Sequence, residues 1–157
     1  MTSLTVEPLP RDQVRAVYPL IREAIPGLSL SAWLRFAQGA MGARRNGQAG
    51  IIVARRESHD FPNGLFCYRV EPDPALGKIL VAEYFVAVDL LHPEDVLAAL
   101  VAELDALGER LGCQAVRSIV RGRDVEGGLA QAGHAPVGSI LGKALAHHAA
   151  PTVPGRG

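Results

Sequence analysis

The feature that most limits how this chain can fold is a strand running from about Gly77 to Leu90 that turns directly into a long helix from about Pro93 to Leu111. Lys78 to Val88 is rich in β-branched and aromatic residues, which suit a pleated surface. Val96, Leu97, Leu100, Val101, Leu104, Leu107 and Leu111 then recur at helical spacing, with Glu94, Asp95, Glu103, Asp105, Glu109 and Arg110 at mostly polar positions. Pro93 suits the first helical turn, where a missing N–H costs nothing, and Gly112 suits the end. A strand feeding such a helix belongs in an α/β domain.

The flanking segments extend that plan. Leu4 to Pro8 reads as a short strand, and Val14, Val17, Tyr18, Ile21 and Ile25 as a first helix bent at Pro19. Ser29 or Ser31 caps a second helix with Leu30, Trp33, Leu34, Ala37 and Met41 as its apolar stripe. Gly39, Gly42, Gly47 and Gly50 surround Arg44, Arg45 and Asn46, a pattern that predicts a mobile basic loop. Ile51 to Glu57, Leu65 to Glu71 and the Lys78 strand are separated by Pro- and Gly-containing turns and predict an antiparallel meander. After the long helix come a strand over Ala115 to Arg121, a short helix over Asp124 to Ala132 and a last strand over Val137 to Leu145. Residues 1–146 then make a single domain, and the Ala, His, Pro and Gly content of 147–157 predicts a frayed tail.

Composition narrows the classes of partner. The 157 residues carry 16 basic and 16 acidic side chains, so no overall field draws nucleic acid or an anionic membrane. Asp, Glu, Arg or Pro interrupts every apolar run before the roughly 20 residues that a membrane span needs. Cys67 and Cys113, in apolar stretches and not spaced as ligands, fit a reduced, cytoplasmic protein. The five histidines lack a spacing that would gather three metal ligands, so no metal is expected. Gly122, Gly127 and Gly128 mark turns, since they lack the strand and glycine order of a dinucleotide fingerprint.

The order strand, two helices, meander, long helix, strand, short helix, strand resembles that of the GNAT superfamily of acyl-CoA-dependent N-acyltransferases over Leu4 to Leu145. Leu129-Ala130-Gln131-Ala132-Gly133-His134-Ala135-Pro136-Val137-Gly138 looks like the family's segment from the short helix into the next strand. The resemblance implies a mixed, mostly antiparallel sheet of about six strands flanked by about four helices, an α/β (α+β) layering. It also implies acetyl-CoA or another acyl-CoA as cosubstrate. In the family, backbone N–H groups after the fourth strand hold the coenzyme A pyrophosphate at a helix N-terminus. Here that motif falls on His92-Pro93-Glu94-Asp95-Val96-Leu97, with Pro93 lacking an N–H and Glu94 and Asp95 carrying negative charge. The same residues also read as a proline-started helix whose carboxylates complement its dipole.

Candidate cofactor contacts are Val88, Leu90, Val96 and Leu97 along this junction, with Arg121 and Arg123 available to a displaced phosphate. Period-two alternation puts Glu83 on one face with Ile79, Val81, Phe85 and Ala87, and Tyr84 on the other with Leu80, Ala82, Val86 and Val88. A carboxylate desolvated there would have a raised pKa and serve as the base for an incoming ammonium; the competing reading places Glu83 near a sheet edge or in an ion pair with an arginine of a neighbouring strand, for example Arg55 or Arg69. The family's tyrosine acid falls on Leu129, which leaves Tyr84 as the substitute acid. Arg44, Arg45, Arg55 and Arg56 read as a solvated basic surface without the interleaved aromatics of a nucleic-acid site. Two functions follow: acyl transfer from an acyl-CoA to an amine, or a non-catalytic GNAT-like ligand-binding or protein-interaction domain. A short carboxyl end implies an uncovered sheet edge and hence a homodimer that covers it.

Overall fold

Leu4–Pro8 (β1) pairs antiparallel with Ala49–Arg56 (β2), which pairs with Gly64–Asp73 (β3), which in turn pairs with Gly77–Ala87 (β4). Ala115–Ser118 (β5) adds in parallel along Ile79 to Ala82 and completes a five-stranded sheet in the order β1-β2-β3-β4-β5. This computed structural model describes residues 3–146. The expected tail at 147–157 lies outside the described residues.

Helices Tyr18–Ala24 (α1) and Leu30–Ala40 (α2) cover one face of the sheet, while Pro93–Arg110 (α3) and Arg123–Gln131 (α4) cover the other. The Ser29 side chain caps α2 by accepting from the Ala32 N–H at 3.1 Å. The anticipated stripe of α3 is buried: Val96, Leu100 and Leu104 have no solvent exposure and pack on Phe66, Leu80 and Ala82. Each such leucine contributes roughly 1.5–3 kcal/mol by leaving water. On the opposite face Ile21, Trp33 and Ala37 pack on Ile51, Val53 and Leu65. Two apolar layers thus clamp one sheet.

Close approach fixes Gly64, where a Cβ would stand 2.7 Å from the Val86 carbonyl oxygen and 2.8 Å from Val96 Cγ1. The hairpin turn at Phe61 to Gly64 is therefore set against α3 as well as against β4. Among the described residues no helix is long and apolar enough to cross a membrane.

Two expectations are corrected. Pro19 does not bend a helix from Val14; it stands in the first turn of α1, and a short 3-10 turn at Arg11–Gln13 precedes it. Proline is tolerated where its missing N–H has no partner anyway, so the helix starts there. The last strand over Val137 to Leu145 is not formed, and among the described residues the sheet has five strands, close to the expected six or so. Val137, Ile140 and Leu141 are 83%, 69% and 94% exposed, so this segment packs on no element of the sheet.

Candidate functional site

The site begins with a break in β4. Leu65 pairs with Val86 and Cys67 with Glu83, so Phe66 alone stands opposite Tyr84 and Phe85. This is a β-bulge, and Tyr84 takes φ +61°, a left-handed conformation uncommon for a bulky side chain. Such a backbone costs on the order of 1–3 kcal/mol and is held by its surroundings. The bulge resets the alternation: Leu80 and Ala82 face α3, but so does Phe85, while Tyr84 and Val86 turn to the α1–α2 side. The strict two-face assignment from sequence is thereby corrected, since Glu83 and Tyr84 serve the same side of the sheet.

Just past the bulge the sheet opens. The last β4–β5 pair is Ala82 with Ser118, followed by one hydrogen bond from the Ile119 N–H to the Ala82 carbonyl at 2.8 Å. Beyond it β4 continues to Ala87 while the other chain turns away into α4. The gap is a cleft of about 220 Å³ lined by Glu23, Ala24, Tyr84, Phe85, Ile119, Val120, Arg121, Gly122 and Val125. The Arg121 guanidinium lies 5.6 Å from the centre of the Tyr84 ring, within cation–π range. Partial burial, with the Glu83 carboxylate beside it, raises the Tyr84 pKa above the ordinary phenol value, so the hydroxyl keeps its proton at neutral pH.

A second cavity, of about 280 Å³, lies on the Glu83 side, between the strands and the end of α2. Phe36, Ala40, Ala49 and Cys67 give it apolar walls, and Arg35, Arg45, Tyr68, Arg69 and Glu83 give it polar ones. Glu83 is not an isolated carboxylate among apolar side chains: Arg69 donates to it at 2.9 Å while also pairing with Glu71. Arg55, the other partner considered for Glu83, donates instead to Gln13. Burial, reinforced by the Glu83 charge, pushes the Cys67 thiol far up, which makes it a poor nucleophile. Phe36 meets Tyr84 edge-on with ring centres 6.0 Å apart, so this aromatic pair stands where cleft and cavity adjoin.

The β4–α3 junction is built differently. The carboxylate of Asp89 accepts the backbone N–H groups of Leu91 and His92, each at 2.9 Å, and pairs with Arg56. These hydrogen bonds, with Arg56 foremost, hold the Asp89 carboxyl well below the usual carboxylate range. Arg56 is 9% exposed, which corrects its assignment to a solvated basic surface. Glu94 reaches the His92 ring at 3.3 Å. The backbone N–H groups of Leu91 and His92, just before α3, are thus engaged by the chain's own carboxylate.

The remaining candidates fall in distinct places. Val88 and Leu90 are exposed at the junction, whereas the side chains of Val96 and Leu97 are buried under α3, leaving only their backbone for any ligand. Arg121 reaches the cleft, Arg123 starts α4, and the neighbouring Arg117 pairs with Asp73 at 3.0 Å. Leu129 is buried against α3. Among the described residues no three His, Cys, Asp or Glu side chains are grouped to hold a metal ion. Sequence reasoning missed the bulge and the capture of Asp89; the one signal for the first was a glutamate interrupting an apolar strand face.

No family model matches the chain, and no curated protein matches it. Solved structures do. A glucosamine-6-phosphate N-acetyltransferase from Arabidopsis thaliana is 14% identical with a TM-score of 0.74, over 90% of this chain and 98% of that one. An aminoglycoside N-acetyltransferase in complex with CoA is 13% identical with a TM-score of 0.75, over 93% of this chain and 97% of that one. An acetyltransferase from Trypanosoma brucei is 16% identical with a TM-score of 0.71, over 91% of this chain and all of that one. The likeness shows the fold: this chain shares the fold of these acetyltransferase structures, the architecture expected from the GNAT resemblance.

Proposed function

We propose that the protein transfers an acyl group from an acyl-CoA thioester to an amine. The observation that carries this reading is the cleft between β4 and β5 beside the Tyr84 bulge, lined by the Tyr84 phenol, with the Glu83 carboxylate on the second cavity. Glu83 accepts a proton from the incoming ammonium and frees its lone pair to attack the thioester carbonyl carbon. As the C–N bond forms and the C–S bond breaks, the protonated Tyr84 hydroxyl donates to the departing sulfur. The ion pair with Arg69 keeps Glu83 aimed at the cavity. A bulge also leaves one residue out of the ladder, which supplies a backbone group for the thioester oxygen.

The coenzyme phosphates are not held at the His92–Leu97 junction in this reading; Arg121 at the cleft and Arg123 at the start of α4 are the cations that would meet them. Release of free thiol from acetyl-CoA in the presence of a panel of small amines tests the proposal. Acceptor-dependent release supports it, and an acetyl-CoA heat of binding without release under any acceptor would refute it.

The alternative, a non-catalytic ligand-binding or protein-interaction domain, draws on one observation, the occupation of the junction donors by Asp89. Robust acyl transfer by the purified protein would remove it.

A further inference from the structure

The cavity on the Glu83 side has a charge pattern that restricts what can enter it. Its polar wall carries three guanidinium groups, Arg35, Arg45 and Arg69, against one carboxylate, Glu83. Arg69 is already divided between Glu71 and Glu83. Arg35 and Arg45, by contrast, form no ion pair among the described residues. Arg35 projects from α2 and Arg45 from the short turn Ala43–Arg45, so separate pieces of backbone bring them to the same cavity rim. Phe36 and Ala40 give the same cavity an apolar wall.

We infer that the acceptor is a small amine whose far end carries a carboxylate or a phosphate, the anion held by Arg35 and Arg45 and the amine directed to Glu83. This deepens the acyl-transfer reading and rests on it for the reaction, although the binding step can be measured separately. Two guanidinium forks suit either anion, because both offer paired oxygens for bidentate hydrogen bonds. A diamine of the same length would bring a second positive charge to the two arginines and be repelled. A neutral amino alcohol would gain nothing from them.

The test uses four acceptors of similar length: β-alanine, O-phosphoethanolamine, ethanolamine and 1,3-diaminopropane. Binding of each to the purified protein is read by isothermal titration, and transfer by thiol release from acetyl-CoA. The two anionic amines are expected to exceed ethanolamine by tenfold or more in affinity and in kcat/KM, with diaminopropane weakest. The ratio of β-alanine to O-phosphoethanolamine separates a carboxylate from a phosphate preference. The double variant Arg35→Gln/Arg45→Gln should abolish the preference, and Arg35→Lys/Arg45→Lys should keep much of it. Diaminopropane binding as well as the anionic amines, or a preference that survives the glutamine variant, overturns the inference. Anionic amines that bind through the arginines without any thiol release would instead sink the acyl-transfer reading and leave the anion site standing.

Discussion

Glu83 and Tyr84 and the stretch from Asp89 to Asp95 belong to the same strand-to-helix unit, yet they handle polar groups in opposite ways. At the bulge the ladder is broken, Tyr84 sits at φ +61°, and side chains that can exchange protons face open volume. At the junction the chain closes on itself: Asp89 takes two backbone N–H groups and Arg56, and Pro93 has no N–H to offer. In the first region strain and free hydrogen-bonding capacity are kept available. In the second they are consumed by structure. In the proposed acyl-transfer reading the chemistry belongs to the first, while α3 is anchored by the second.

The sharpest way to break this contrast is to remove the charge of Glu83. Glu83→Gln should lower the rate of transfer by about 10²–10⁴-fold, the usual worth of a positioned base, while acetyl-CoA affinity stays within about twofold. An unchanged rate would move the chemistry elsewhere. Tyr84→Phe should cost about a hundredfold in the rate, at the lower end of that range, because solvent can protonate the sulfur more slowly. A larger loss with a poor acyl donor than with an activated thioester would sharpen its role as the acid.

Stability variants probe the other region. Gly64→Ala forces a methyl group against Val86 and Val96 and should lower unfolding stability by about 1–3 kcal/mol in denaturant titration, because that hairpin turn is locked to α3. For Asp89 the expected signature is in pH. Its carboxyl titrates lower in the folded chain than in the unfolded one, so it adds stability above the ordinary carboxylate pKa of about 3.9 that is lost as pH falls below it. Asp89→Asn should lower the melting temperature at neutral pH and flatten this acid limb. Equal melting temperatures for both proteins at neutral pH would show that the junction is not held by this carboxylate. The smallest effect concerns association. β5 is an edge strand and Val137, Ile140 and Leu141 are exposed in the same chain, so light scattering at micromolar concentration should give a dimer mass. A monomer mass throughout contradicts that expectation.

Much of the scaffold could be read from residue patterns because local and global preferences agree there. The stripe from Val96 to Leu107 is apolar at helical spacing and is buried along that same stripe. Ser29 caps α2 as its side chain allows, and proline- and glycine-bearing turns join the meander. Glu83 and Tyr84 were legible as residues but not as a geometry. No glycine or proline marks the bulge, and an alternating pattern carries straight through a position where the backbone does not. Asp89 gave no warning either, since its partner Arg56 is distant in sequence and comes near only through the β2–β3–β4 pairing. The segment from Val137 to Leu145 shows the converse: a strand-like composition that pairs with no strand among the described residues.

The most direct measurement is isothermal titration of acetyl-CoA and longer acyl-CoAs into the wild-type protein and into Arg121→Gln. If the cleft beside Tyr84 is the donor site, the wild type binds saturably with Kd at or below about 1 mM and the variant about tenfold more weakly, as loss of a charged contact of roughly 1.4 kcal/mol requires. No binding at millimolar ligand, or equal binding by both proteins, contradicts the account.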